Sequence, residues 1–484
     1  MLFNSFDFAV FLPIVFLFYW AFTNRNLKLQ NFLLVAASYV FYGWWDWKFL
    51  SLIFFSTLVD YSVGWKLKTE NNKVRRKLLL WISILVNLGF LGFFKYFNFF
   101  LDNFKTAFSF FGAEIHASSL NIILPVGISF YTFQTLSYTI DVYKRKLEPT
   151  RDFIAFSAFV SFFPQLVAGP IERATNFLPQ FYKKRVFDYS KAVDGMRQIL
   201  WGLFKKMVIA DNCAIFANQI FNNSDDFNGS TLFLGVMFFT FQIYADFSGY
   251  SDIALGTARL FGFNLKQNFA YPYFSRNFKE AWRRWHISLT TWFRDYLFIP
   301  LVKSYPINSF TKVINVFILF IVIGFWHGAN WTFILCGALH ALYYIPTLFS
   351  KNKQSGLNVI AQGKLVPDFK EFRSMMITFS LTSFSMIMFR AENTGHAFRY
   401  ISGLVSTSLF DLPEFTGMRR ALLTIILTGV FVLIEWVGRE RQYAISHLGQ
   451  NWNRLLRWSF YSLIIFLIGM FKPSIESPFI YFQF

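Results

Sequence analysis

This 484-residue chain is poor in the residues that most often carry metal and redox chemistry. It has 2 cysteines and 6 histidines. Cys213 and Cys336 stand far apart in apolar surroundings, with no CxxC pair and no zinc-type spacing. Both read as small buried hydrophobes. HExxH is missing, and His327 and His340 would lie about 1300° apart on an ideal helix, facing different ways. No metal is expected. GxxxxGK[ST], GxGxxG and GxSxG are also missing, which leaves no support for ATP hydrolysis, a Rossmann cofactor or a serine nucleophile elbow. Charge is scarce too. Only 15% of residues are charged, against 55% hydrophobic and 22% aromatic, with 69 Phe. A soluble chain of this length would need about two or three domains with charged surfaces.

Long apolar runs fill the gap. LLLWISILVNLGFLGFF (78–94) and ALLTIILTGVFVLIEW (421–436) have the length and composition to cross a hydrocarbon core about 30 Å thick. Similar runs lie near 8–22, 31–46, 48–65, 121–140, 152–168, 197–220, 231–260, 312–326, 331–347, 373–389 and 456–471. The pattern predicts an all-α polytopic membrane protein of about 11–13 segments, some broken or re-entrant where Pro, Gly or acids interrupt them. Residues 1–484 read as a single integral-membrane domain. The first segment lacks a basic flank and a small-residue cleavage site, so it reads as a retained anchor.

The net charge of +19 could suggest nucleic acid, but its distribution argues otherwise. Lys and Arg gather in short loops, at NRNLK (24–28), KLKTENNKVRRK (66–77), YKRK (143–146) and YKKR (182–185), while the loop near 44–48 is aromatic. Under the positive-inside rule this puts the basic loops in the cytosol and the N-terminus outside. Membrane lipid is the expected partner, and nucleic acid is not.

The polar interruptions are the informative places. FFPQLVAGPIER (162–173) carries Gln165, Glu172 and Arg173 between helix-breaking prolines, as expected of a re-entrant element lining a cavity. All three are expected to be buried and hydrogen-bonded. FQIYADFSGYSDIALG (241–256) holds Asp246 and Asp252, which should face protein or a wet cavity. About 600° of ideal helix separates them, or about 240° net, so they do not form a catalytic dyad. Hydrogen bonding to Ser248, Tyr250 or a nearby Arg is expected instead. FSRNFKEAWRRWHISLTTWFRDYLFIPL (274–301), with His286 inside it, has the Trp and Arg content of an interfacial helix. IGFWHGANW (323–331) places His327 in a membrane-grade run. Read from the residues alone, a lone histidine such as His286 is more often structural than catalytic, and His327 could equally be a hydrogen-bonded core residue.

Taken together, these blocks resemble the membrane-bound O-acyltransferase (MBOAT) family, in its bacterial branch for alginate O-acetylation. RRWHISLTTWFRDYLFIPL and GFWHGANWTFILCGALH carry the likeness, with MLFNSFDFAVFLPIVFLFYW, FFPQLVAGPIER and YADFSGYSDIALG in support. The resemblance spans nearly the whole chain. It implies a ring of helices around a thin central funnel, in the inner membrane. His327 would be the catalytic histidine and general base, with Gly328 giving substrate access to the backbone. His286 would be the second catalytic histidine, orienting the donor or stabilising the thioester oxyanion. Gln165, Glu172, Arg173, Asp246, Asp252, Trp326, Gly328 and Asn330 would line the tunnel or support it. The implied donor is acetyl-CoA or another acetyl thioester, with no bound cofactor. The implied acceptor is an extracytoplasmic polysaccharide, reached through a separate SGNH-type acetyltransferase. Lys183, Lys184, Arg185 and Lys205 could meet the coenzyme A phosphates or simply set topology.

The C-terminal strip FIYFQF follows Pro473 and Pro478. Its Phe479, Tyr481 and Phe484 are similar to the Phe-x-Tyr-x-x-Phe ending of small partner proteins in D-alanylation systems. That likeness implies that residues 479–484 dock at the tunnel mouth, with Tyr481 as an acyl relay near His327. A membrane-interface anchor is the plainer reading. D-alanyl or peptidoglycan acyl transfer on the same fold, and a transporter without chemistry, remain as alternatives.

Overall fold

A computed structural model describes residues 1–112, 115, 117–167, 169–306, 308–350, 359–473 and 479–482. Among them the regular structure is helical, with no strand. The chain divides into two compact units, Met1–Tyr189 with Ala258–Leu265 and Ser190–Thr257 with Lys266–Phe484. Seven helices of the described residues are long and apolar enough to cross a membrane: Lys73–Phe110, Gly229–Leu260, Ser309–His327, Trp331–Phe349, Phe369–Arg390, Met418–Gly438 and Arg454–Phe471. The other apolar runs also fold as helices, but they are shorter or more polar. Leu27–Asp46 buries Gln30 and Asn31, and Leu50–Thr69 buries Asp60.

In the first unit, side-chain caps set where helices start. Asn26 accepts from the amides of Lys28 and Leu29, and Asn72 from those of Val74 and Arg75. Each satisfies amides that the first helical turn leaves open. Asp60 survives inside this unit because donors surround it. Ser83 donates to its carboxylate, as do Asn87 Nδ2 at 2.8 Å and Thr139 Oγ1 at 2.9 Å. A buried acid in a membrane helix needs such partners. Pro164 breaks the chain as expected: the Phe153–Ser161 helix ends at Phe162, and a single turn, Phe163–Leu166, restarts with Pro164 in its first positions.

In the second unit, Met418–Gly438 shows how a spanning helix divides its surface. Ala421, Thr424, Thr428, Phe431, Glu435 and Gly438 face inward, while Leu422, Ile426, Val430, Leu433 and Val437 are exposed. Both stripes repeat at helical spacing. An uncovered apolar stripe of this length is a face for lipid tails, because the hydrocarbon core solvates it where water does not.

Glycines bring helices together in this unit. A Cβ on Gly324 would lie 2.3 Å from the Phe333 carbonyl oxygen, and one on Gly337 would lie 2.3 Å from that of Phe320. The Ser309–His327 and Trp331–Phe349 helices therefore touch backbone to backbone, the contact that small residues permit in membranes. That crossing sits one turn before His327.

Candidate functional site

His327 is the last residue of its helix. The next helix begins four residues on, at Trp331, capped by Asn330, which accepts from Thr332 N at 3.1 Å and donates through Nδ2 to Glu392 O at 2.7 Å. Asn330 thus fixes the corner. Gly328 is extended, at φ −165°. Its missing Cβ makes room for the Phe333 ring, which would otherwise stand 2.1 Å away. The close Phe333 ring is thus one reason for glycine here, beside the access for substrate that the family resemblance implies.

His327 is buried and lines an apolar cavity of about 60 Å³. Tyr273, Trp282, Trp285, Phe389 and Tyr481 form much of the wall, and His340 also borders it. His340 is held by Ser385 Oγ at 3.0 Å. Cys213 and Cys336 are free thiols and buried. Among the described residues, no group of His, Cys, Asp and Glu is arranged to hold a metal ion.

Tyr481 stands beside His327, with ring centroids 5.5 Å apart. Phe247 is 4.5 Å from the Tyr481 ring, Trp326 6.2 Å and His286 6.5 Å. The strip that presents it is tied at two points. Phe479 packs against Tyr250 at 4.5 Å, and the Ile480 amide donates to Asp246 Oδ2 at 2.8 Å. Burial raises the Tyr481 phenol well above its ordinary value. Pro478 and Phe484 lie outside the described residues.

His286 occupies a break rather than a continuous interfacial helix. The 274–301 block folds as Phe278–Arg284, then Ile287–Phe293, then a π turn and Ile299–Lys303, with His286 at φ 42° between the first two. Its Nδ1 is 3.2 Å from Asn268 Oδ1, and the edge-on Phe247 ring is 4.6 Å away. The ring is fully buried but does not reach the cavity wall. Burial pushes its pKa down to about 3, so the imidazole is neutral at physiological pH. Asn268 carries no signal in the sequence.

The acids of the Gly229–Leu260 helix pair with lysines, where the sequence reading expects Ser248, Tyr250 or a nearby Arg. Lys206 Nζ lies 3.0 Å from Asp246 and 2.7 Å from Asp211. Lys205 Nζ lies 2.6 Å from Asp252 and 3.4 Å from Glu435, and it also donates to Ser248 Oγ at 3.3 Å. Asp252 further accepts from Gln198 Nε2 at 2.7 Å. Lys205 is therefore buried and paired, which removes it as a contact for coenzyme phosphates. Arg185 is likewise buried, on Gln30 and Asn31. Lys183 and Lys184 are exposed. Glu435 was missed, although an acid inside ALLTIILTGVFVLIEW is the same signal that singled out Asp246.

Gln165, Glu172 and Arg173 belong to the first unit, whereas His286, His327 and Tyr481 belong to the second. Gln165 and Glu172 are buried and Arg173 is half-buried. Gln165 Nε2 donates to Gln134 Oε1 at 3.1 Å.

Residues 32–358 match the MBOAT, membrane-bound O-acyltransferase family. The chain belongs to this family. It is 36% identical to the protein named "Probable alginate O-acetylase AlgI" of Pseudomonas putida, over 100% of both chains. It is 34% identical to the peptidoglycan O-acetyltransferase of Helicobacter pylori, over 84% of this chain and 80% of that one. Identity to the teichoic acid D-alanyltransferase of Streptococcus thermophilus is 30%, over 54% of this chain and 68% of that one. This MBOAT protein is thus an O-acyltransferase and a multi-pass membrane protein.

Proposed function

We propose that this enzyme takes an acetyl group from cytosolic acetyl-CoA and delivers it across the bacterial inner membrane for O-acetylation of an extracytoplasmic polysaccharide such as alginate. The observation that carries the proposal is the juxtaposition of His327 and Tyr481 on the wall of one apolar cavity. In the proposed reaction, His327 removes the phenolic proton of Tyr481. The phenolate oxygen attacks the thioester carbonyl carbon, the C–S bond breaks, and the proton passes from His327 to the departing thiolate. The acetyl group then rests on Tyr481 as an aryl ester. A phenol suits this step, because its ordinary pKa near 10 starts far below that of a sugar hydroxyl, so the phenolate remains the better leaving group although burial raises the Tyr481 phenol. A hydroxyl of an SGNH-type partner attacks the ester carbonyl, the phenolate leaves, and His327 returns the partner's proton to it. His286 orients the donor or supports the developing oxyanion. In this scheme residues 1–484 act as one domain, with the N-terminus and the 479–484 strip on the extracytoplasmic side.

Two variants test the scheme in proteoliposomes supplied with acetyl-CoA and the partner. His327→Ala should insert normally and lose roughly 10²–10⁴-fold in acetyl transfer. Tyr481→Phe keeps the ring and should lose transfer to the acceptor, while the wild type without partner should accumulate an acetylated Tyr481 peptide by mass spectrometry. Wild-type turnover in His327→Ala overturns the base. Full activity in Tyr481→Phe overturns the relay. The 30% identity to a teichoic acid D-alanyltransferase favours a D-alanyl cargo as second reading, and faster turnover of an alanyl thioester would select it.

A further inference from the structure

The side chain of Asn268 meets three possible donors through one atom. Its Oδ1 lies 3.2 Å from Ser288 N, 2.8 Å from Ser288 Oγ and 3.2 Å from His286 Nδ1. Its Nδ2 lies 3.3 Å from Ser251 Oγ, and its backbone oxygen accepts from the Ile287 amide at 2.8 Å. A backbone N–H can only donate. The Asn268 atom facing Ser288 N is therefore the amide oxygen, which settles the orientation of the side chain. An amide oxygen has no proton to give, so the Nδ1 opposite it must carry one. In a neutral imidazole the lone pair then belongs to Nε2.

We propose that Asn268 is a positioning residue that locks His286 in its Nδ1–H tautomer, so that His286 serves acyl transfer as a hydrogen-bond acceptor through Nε2. The inference rests on the catalytic reading of His286 and narrows it: a bare Nε2 accepts a proton or orients a hydroxyl, and it cannot donate to an oxyanion. The surroundings agree. The ring is fully buried, flanked by Phe247 and Trp326. The elements packed around it carry Tyr481 on the C-terminal strip, His327 at the end of its helix, and Tyr244, Asp246, Tyr250 and Asp252 on the helix of Phe247, where Asp246 is paired with Lys206 and Tyr244 is bonded to Glu435. Beyond Asn268, Lys205, Asp252 and Glu435 line a small polar cavity that Asn268 also borders. The two acids there are paired with Lys205, and the Asn268 amide oxygen at Nδ1 brings no negative charge that would favour the imidazolium.

Asn268→Asp tests the inference. The carboxylate can accept all three hydrogen bonds but adds a negative charge at Nδ1, so it should favour imidazolium. The acid limb of the pH–rate profile should move up by at least about one pH unit. Asn268→Leu removes the acceptor and should lower turnover about 10–100-fold, in line with other partners that orient imidazoles. A folded Asn268→Asp enzyme with the wild-type acid limb overturns the inference. Should that variant fail to fold, nitrogen NMR of the wild-type protein carrying ¹⁵N-histidine decides, with His286 identified by the signal lost in His286→Gln. A protonated Nδ1 and a bare Nε2 are expected, and the opposite tautomer or an imidazolium overturns the assignment. Wild-type turnover in His286→Gln would instead refute the catalytic reading of His286, whatever tautomer the spectrum shows.

Discussion

Gly337→Ala should disable the enzyme without unfolding it. The new Cβ would stand 2.3 Å from the Phe320 carbonyl oxygen, whereas real Cβ atoms essentially never come within 3.0 Å of another heavy atom. The obstacle is backbone, so no rotamer change relieves it. The Ser309–His327 and Trp331–Phe349 helices must part by about 0.7 Å or more. His327 ends the first of these helices, and Gly324, one turn earlier, has the reciprocal contact with Phe333. The separation is thus delivered where the imidazole meets the cavity. A catalytic group misplaced by about 1 Å can lose about 10²-fold in rate. We therefore expect a loss of roughly 10–100-fold in acetyl-ester formation, normalised to the enzyme present in the membrane. Gly429→Ala is the control, because nothing lies within 4 Å of that Cβ, and it should match the wild type. A well-inserted Gly337→Ala enzyme working within about twofold of wild type would refute the link between helix contact and histidine placement.

Three further outcomes follow from the buried charges and the strip they hold. Lys205→Ala strands Asp252 and Glu435 without their cation and should destabilise the protein by about 3–5 kcal/mol in thermal unfolding. Adding Asp252→Asn and Glu435→Gln should recover most of that loss, and further destabilisation by the added changes would contradict the pairing. Asp246→Ala removes the acceptor for the Ile480 amide, so it should release the 479–482 strip and slow transfer, leaving His327 in place; unchanged turnover would show that the bond does not position Tyr481. His286 titrates near 3 when folded and near 6.5 when unfolded. Between those values the unfolded chain binds the extra proton, so stability from this group is full above about pH 6.5 and falls as pH drops towards 3. His286→Gln should flatten the fall in Tm between about pH 6.5 and 4 relative to the wild type, and parallel curves would contradict the burial argument.

Some of this was written plainly along the chain, and some could not be. The spanning helices were legible because about twenty consecutive apolar residues have few other uses. His327 was legible because it interrupts such a run. The reason for Gly328 was not, since the Phe333 ring that fills its place is brought there by a corner that Asn330 caps. Asp246 and Asp252 declared themselves as acids in an apolar window, but the nature of their partners did not. Lys205 read as a cation for coenzyme phosphates or topology, and only the structure shows that it and its neighbour Lys206, in the turn Lys205–Ala210, reach different acids. Asn268 was invisible because its importance lies in one atom meeting a turn eighteen to twenty residues later. The aromatic wall was hidden for the opposite reason. Where 22% of residues are aromatic, Tyr273, Trp282 and Trp285 cannot be told from lipid-facing rings by composition.

The contrast between the acids and the histidines explains why an imidazole suits the proposed reaction better than a carboxylate. A base inside a low-dielectric cavity must be ready to accept a proton, and a carboxylate is ready only when ionised. Ionised, it needs a cation close by, and that cation then weakens it as a base. Asp246, Asp252 and Glu435 each take that route, with Lys206 or Lys205 beside them. A histidine escapes the bind. It is uncharged in its basic form, so an apolar setting such as that of His327, among Phe389, Trp326 and Tyr481, does not demand a cation beside it. The cost falls on the imidazolium that forms during transfer, and the departing thiolate discharges it at once. An apolar cavity can therefore enclose an acetyl group and still hold a usable base, provided that base is neutral at rest.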